Sequence, residues 1–98
     1  MASSADLERI TDKLEQAYAV MAYSTGAGLV AAVRRLLSEI RSDDMPTRAT
    51  RAQWAQIAET MLRLGSGPSI TSDEIRSLGL EIHHLRETIM RHLARLAY

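Results

Sequence analysis

The sequence predicts an all-α protein, a small bundle of about four helices with a long C-terminal helix, from three observations. Apolar residues recur at steps of three and four, and no stretch keeps the strict alternation of a half-buried strand. Hydrophobic residues make up 46% and charged residues 24% of the chain, a balance typical of a globular protein rather than a disordered one. The length of 98 residues fits one helical domain, 1–98.

The first two helices are predicted at 4–23 and 28–41. Each carries one apolar stripe, but the second stripe lies about 200° around the helix from the extension of the first. The segment 24–28 contains two glycines, and glycine readily stops or kinks a helix. We therefore expect a break or sharp bend there. The alternative is a continuous helix that presents opposite faces to two different neighbouring helices. The stripes are Leu7, Ile10, Leu14, Ala17 and Met21, then Val30, Val33, Leu37 and Ile40.

The third helix is predicted at 51–64. A polar segment, 41–47, precedes it and contains Pro46, which disfavours helix at the residue before it. Thr50 and Gln53 have the spacing of a capping box, and Gly65 is a natural stop. The apolar face of this helix comprises Trp54, Ile57, Ala58, Met61, Leu62 and Leu64.

The fourth helix is predicted at 72–97. Thr71 and Glu74 form a capping-box pair, flanked by Ile70 and Ile75 as a hydrophobic staple. At about 39 Å this helix is much longer than the third, at about 22 Å, so its neighbour leaves part of the apolar stripe uncovered. Further apolar residues beside the stripe also need shelter: Leu80, Met90 and Leu93.

This excess of apolar surface predicts a twofold homodimer in which the long helices of two copies pack together. The alternative is a monomeric four-helix bundle whose stripes all point inward. His92 continues the stripe, either as a partly buried imidazole with a hydrogen-bond partner or as a pH-sensitive contact. Trp54 is expected to be a second anchor. The predicted protein-interface residues are Trp54, Leu78, Ile82, Leu85, Ile89, His92, Leu93 and Leu96.

Several classes of function are excluded by composition. The absence of Cys removes disulfides, thiolate nucleophiles and thiolate metal sites. Twelve basic and twelve acidic residues cancel, so no overall field attracts nucleic acid or an anionic membrane. The serines have capping or turn roles and no phosphate loop is present. We therefore expect no enzyme activity, catalytic residues, cofactor or small-molecule substrate.

The histidines give no metal site. Glu81 and His84 have the Glu-x-x-His spacing of di-metal helical bundles, but the motif occurs once and all three histidines lie on the fourth helix. His83 and Glu87, four residues apart, are expected to form a solvated ion pair on an outer face.

DNA binding is the main alternative. Residues 71–80 resemble the first helix and turn of a helix-turn-helix, with His83, His84 and Arg86 on a candidate recognition helix. The segment from Glu74 to Gly79 is one residue shorter than in a usual helix-turn-helix. The apolar repeat of the fourth helix also passes through Gly79 without a change of phase. A continuous helix is therefore favoured over a turn.

The N-terminus lacks the pattern of a signal peptide, and the uncharged run 17–33 is short for a membrane span, so a cytoplasmic protein with no membrane partner is expected. Eleven of twelve cations are Arg and Ala is abundant, which suggests a bacterial or phage source. The sequence predicts a non-enzymatic interaction module that binds another protein by helix-face packing: an antiactivator, inhibitor, adaptor or chaperone-like regulator. Nucleic acid is not an expected partner.

Overall fold

The computed structural model describes residues 4–23, 29–66 and 71–97, and these residues form helices without any strand. The predicted all-α bundle with a long C-terminal helix is confirmed. The elements are α1 (Ser4–Tyr23), α2 (Leu29–Leu37), a short 3-10 helix (Ser42–Asp44), α3 (Arg48–Ser66) and α4 (Ser72–Ala97).

α4 is the central element of the bundle, because it packs against both α1 and α3, while α2 packs against α1 and more lightly against α3. α1 and α4 are antiparallel. Glu15 of α1 faces Arg86, whereas Tyr18 faces His83, so the two helices run in opposite directions. The molecule is elongated along these helices, measuring 45 × 23 × 20 Å.

The core is formed by one stripe from each helix. The stripes predicted for α1 and α2 are buried except for Met21, which is half-buried, and Ile40 and Met45 close the same core. The main apolar stripe of α4, which the sequence places at a dimer interface, is buried in the single chain from Leu78 to Ile89. On α3 the buried face is narrower than predicted, because Ala58 and Leu62 are exposed. The central core residues of the four helices are Leu7, Ile10, Leu14, Ala17, Leu29, Val30, Val33, Leu37, Trp54, Ile57, Met61, Leu64, Leu78, Ile82, Leu85 and Ile89.

The start of α4 has the predicted capping box. The Thr71 backbone N–H donates to Glu74 Oε1 at 3.2 Å, and the Glu74 N–H donates to Thr71 Oγ1 at 3.1 Å. Two backbone donors of the first turn are thus satisfied reciprocally, which defines where α4 begins. Ile70, the other half of the predicted staple, lies outside the described residues.

α2 is shorter than the predicted helix 28–41. It ends at Leu37, after which the Ser38 and Ile40 N–H groups donate to carbonyls three residues back. A separate 3-10 turn follows, at whose start Asp44 Oδ2 accepts a hydrogen bond from the N–H of the capping residue Arg41 at 3.1 Å. Local bonding by Ser and Asp side chains competes with continued helix here. The predicted break at 24–28 lies outside the described residues.

α3 begins earlier than predicted because its cap is Thr47 rather than Thr50. The Thr50 N–H donates to Thr47 Oγ1 at 3.1 Å, and the Thr47 N–H donates to Thr50 Oγ1 at 3.0 Å. Thr50 is fully buried and is the third residue of the helix, so it takes the capping-box position predicted for Gln53. At the other end, α3 passes through Gly65 to Ser66.

One charged cluster joins α1 to the chain just after α2. Lys13 Nζ lies 3.0 Å from Glu39 Oε2, and Arg9 lies 3.9 Å from the same oxygen. The hydrogen bond from Lys13, then the charges of Lys13 and Arg9, hold the pKa of Glu39 below its ordinary value of 4.5. The ionised form of Glu39 therefore stabilises the fold.

This cluster predicts a pH dependence. The contribution of ionised Glu39 to the free energy of unfolding is present above the ordinary pKa of Glu. It is lost as the pH falls through the lowered pKa that Glu39 has in the folded state. We expect the wild type to lose slightly more stability on acidification below pH 4.5 than Glu39→Gln does, measured by urea unfolding across this range. High salt should reduce the difference because the pair is exposed; equal pH profiles in low salt would contradict the prediction.

Candidate functional site

The predicted protein-interface residues divide into a buried group and an accessible group. Most of them line the core of the single chain: Leu78, Ile82, Leu85 and Ile89 are 0% exposed and Trp54 is 7% exposed. The reason is that α1 and α3 together flank α4, so its main stripe is covered without a second copy. A partner would reach these side chains only if the bundle opened, and the surface left for binding lies elsewhere.

The accessible group lies at the C-terminal end of α4. His92 and Leu93 are half-buried, with Leu93 packed against the core, while Leu96 is 59% exposed. These residues lie toward the opposite end of α4 from the recess in which Leu80 meets the surface.

An apolar groove lies between the C-terminal half of α1 and the N-terminal half of α4, with a volume of about 160 Å³. Its floor includes Gly79, where the missing side chain leaves Met21 Cε 3.7 Å and Tyr18 Cε2 3.9 Å from the position of a Cβ atom. Arg76 stands at its rim. The apolar lining comprises Tyr18, Met21, Ala22, Ile75, Gly79 and Leu80.

Two large apolar side chains of this groove are open to solvent. Leu80 is 49% exposed and Tyr18 is 42% exposed, and both lie beside half-buried Met21 and Ile75. Single exposed apolar residues are common on proteins, whereas apolar side chains grouped in a recess favour binding. The groove is therefore the strongest candidate site in the described part of the chain.

Polar side chains border the groove along α4. The rings of His83 and Tyr18 are 5.4 Å apart, and His83 Nε2 lies 3.3 Å from Glu87 Oε1, as the spacing of this pair predicts. Arg86 reaches across to Glu15 of α1 at 3.6 Å. The Tyr18–His83 and Glu15–Arg86 contacts join α1 to α4, and Arg86 and the two glutamates place both charge signs near the groove.

The arrangement of acids and histidines offers no metal centre among residues 4–23, 29–66 and 71–97, where no three His, Asp or Glu side chains are grouped to hold an ion. Glu81, half of the Glu-x-x-His motif, instead accepts a hydrogen bond at 3.2 Å from the buried Thr60 hydroxyl of α3. Thr60 also donates to the Gln56 carbonyl. Glu81 therefore connects α3 to α4.

α4 is continuous through Gly79. A helix-turn-helix would need a turn at this residue, because its two helices meet there at a steep angle. The residues that resemble this motif therefore belong to one straight element, and His83, His84 and Arg86 are not on a separate recognition helix.

The groove was only partly visible in the sequence. The helical spacing places Leu80 and Met90 beside the main stripe, and both are exposed. Hydrophobic periodicity identifies the buried face of a helix but not the neighbouring helix that covers it. The sequence therefore did not show that Leu80 lies beside Tyr18, Met21 and Ala22 of α1. The sequence signal for the groove was Leu80, an apolar residue beside the main stripe that directly follows Gly79.

Comparison of the chain with protein-family models, with curated proteins and with solved structures finds no match. Across the helices that the structure describes, none combines the length and the hydrophobicity needed to cross a bilayer.

Proposed function

We propose that this chain is a non-enzymatic protein-binding module, a regulator of the inhibitor, antiactivator, adaptor or chaperone-like kind. It binds a helical segment of another protein chain through the groove between α1 and α4. The single observation that carries the proposal is the exposure of Leu80 and Tyr18 within one apolar recess.

The chemistry of the groove suits a helix. An amphipathic helix binds by placing apolar side chains of one face into such a recess, and aromatic and large apolar residues supply most of the binding free energy. Tyr18 provides an aromatic contact, Leu80 an aliphatic one, and Arg76 a charge at the border. A bacterial or phage source and a cytoplasmic location accompany this proposal as expectations from composition.

Site-specific photocrosslinking tests the proposal. A benzophenone side chain replaces Leu80 in one variant and Leu62 in a control, because Leu62 is 62% exposed on α3 and does not line the groove. After irradiation in an extract of the cells that make the protein, we expect a discrete crosslinked protein from position 80 only. Adding Tyr18→Glu should remove that product, since burying a carboxylate in the apolar contact is costly.

Two outcomes contradict the proposal. Equal crosslinking from positions 80 and 62 would mean that the groove has no preference for protein, and no product from either position would mean that it has no partner in the extract. DNA binding predicts a different result, namely retention of the purified protein on duplex DNA that weakens steeply as salt is raised.

A further inference from the structure

The outer face of α4 carries a second pattern, which we call the outer stripe: Arg76, Leu80, His83, Glu87, Met90 and Ala94. Steps of four and three place these residues within about 80° of one another around the helix axis. All are exposed except His83, which is half-buried, and Leu80 and Met90 retain 49% and 44% of their surface. The outer stripe thus borders the groove and continues beyond it toward the C-terminus of α4.

The residues of this stripe form two pairs that are placed symmetrically about position 85, one apolar and one polar. Leu80 and Met90 lie at equal distances on either side of residue 85, and so do His83 and Glu87. If two copies of α4 pack antiparallel with residue 85 at their midpoint, Leu80 of each copy meets Met90 of the other. In the same arrangement the His83–Glu87 pair of each copy lies beside that of the other, with each His83 opposite a Glu87. The four side chains then alternate between hydrogen-bond donor and acceptor around the midpoint.

Other registers lack this complementarity. A parallel pair would place Glu87 against the Glu87 of the other copy, and like charges in contact disfavour association. Shifting the antiparallel midpoint to Leu80 or Met90 would leave the other apolar residue without an apolar neighbour. Among these registers, the midpoint at residue 85 matches both the apolar residues and the hydrogen-bonding side chains.

We propose that the occupant of this face is a second copy of the chain, in an antiparallel α4–α4 dimer centred at residue 85. The inference rests on the proposed function, since it names the first partner of the same surface. It differs from a dimer formed through the main apolar stripe, because Leu78, Ile82, Leu85 and Ile89 stay in the core of each copy.

The size of the surface indicates how tight this dimer is. The stripe from 76 to 94 is about 27 Å long and about 10 Å wide, which is less than the roughly 800 Å² per partner of a standard interface. Tyr18 and Ala22 of α1 lie beside it and extend the contact. We therefore expect a dissociation constant in the micromolar range rather than a permanent dimer.

Disulfide trapping tests the register of the dimer. The chain has no native cysteine, so only the introduced cysteines can form disulfides. Leu80→Cys and Met90→Cys are purified separately, one with an affinity tag, mixed at high micromolar concentration and oxidised. Positions 80 and 90 of opposite copies are adjacent in the proposed dimer, whereas two copies of position 80 are about 15 Å apart along the axis. We expect the mixed disulfide to exceed either homodisulfide by about tenfold, because cysteines so far apart cannot be bridged.

The control mixes Leu80→Cys with Leu62→Cys, which should give no such excess, and circular dichroism of each variant verifies folding. A dominant 80–80 disulfide would overturn the register, and a monomer by sedimentation up to high micromolar concentration would overturn the dimer. Photocrosslinking from position 80 to a different protein, together with a monomer, would overturn this inference while leaving the proposed function intact. Loss of all crosslinking would contradict both.

Discussion

Leu85→Ala should lower the free energy of unfolding by about 2–5 kcal/mol, a large part of the roughly 5–15 kcal/mol that stabilises a small domain. Leu85 is 0% exposed at the centre of α4, so the change removes buried methyl groups and leaves a cavity. Because the single chain buries this residue, the loss should be the same at low and high protein concentration. Urea unfolding monitored by circular dichroism at two concentrations measures it.

Leu62→Ala is the matched control, since it makes the same chemical change at a side chain that is 62% exposed. It should cost less than about 0.5 kcal/mol. A Leu85→Ala effect that appears only at concentrations where the chain associates would mean that Leu85 belongs to an interface, as the sequence pattern first suggested. In that case the packing of α4 between α1 and α3 would be wrong.

The helical elements could be predicted closely because each carries its own local signal. The stripe of Leu7, Ile10 and Leu14 defines the buried face of α1, and Thr71 with Glu74 defines the start of α4. Both signals depend on residues a few positions apart, so no knowledge of the fold is needed. The predicted start of α4 at residue 72 is the one that the structure has.

The beginning of α3 and the end of α2 were less predictable because alternative local bonds compete there. Thr47 and Thr50 both precede α3 with possible capping partners, and the choice of Thr47 depends on burial of the Thr50 side chain in the core. Burial of this kind is a property of the assembled bundle. The burial of the Thr50 side chain therefore cannot be predicted directly from a single sequence.

The burial of most predicted interface residues within the single chain was hard to predict for a related reason. Helix length alone suggested that α3 would leave much of α4 uncovered, yet α1 packs along the opposite side of α4 and covers the main stripe. Which side chains remain outside depends on this third helix. Of the three apolar residues beside the main stripe, Leu80 and Met90 stay exposed, whereas Leu93 packs against the core.

Gly79 gives the sharpest test of the continuous α4 on which both proposals depend. Gly79→Pro should lower the free energy of unfolding by about 3 kcal/mol or more, because proline removes a backbone N–H from the helix and its ring clashes with the carbonyl of residue 75. Gly79→Ala should instead raise it by up to about 1 kcal/mol, since alanine favours helix over glycine. Urea unfolding of the two variants beside the wild type measures both changes.

The sign of the Gly79→Ala change separates the two interpretations of this segment. In a continuous helix the added Cβ makes ordinary contacts at 3.7 Å to Met21 and 3.9 Å to Tyr18, so neither side chain has to move. In a helix-turn-helix the glycine would occupy the left-handed region at the turn, where a Cβ costs roughly 1–2 kcal/mol. A destabilised Gly79→Ala would therefore contradict the unbroken α4 and with it the outer stripe, because residues 76 and 80 would no longer lie on the same straight face as residues 83 to 94.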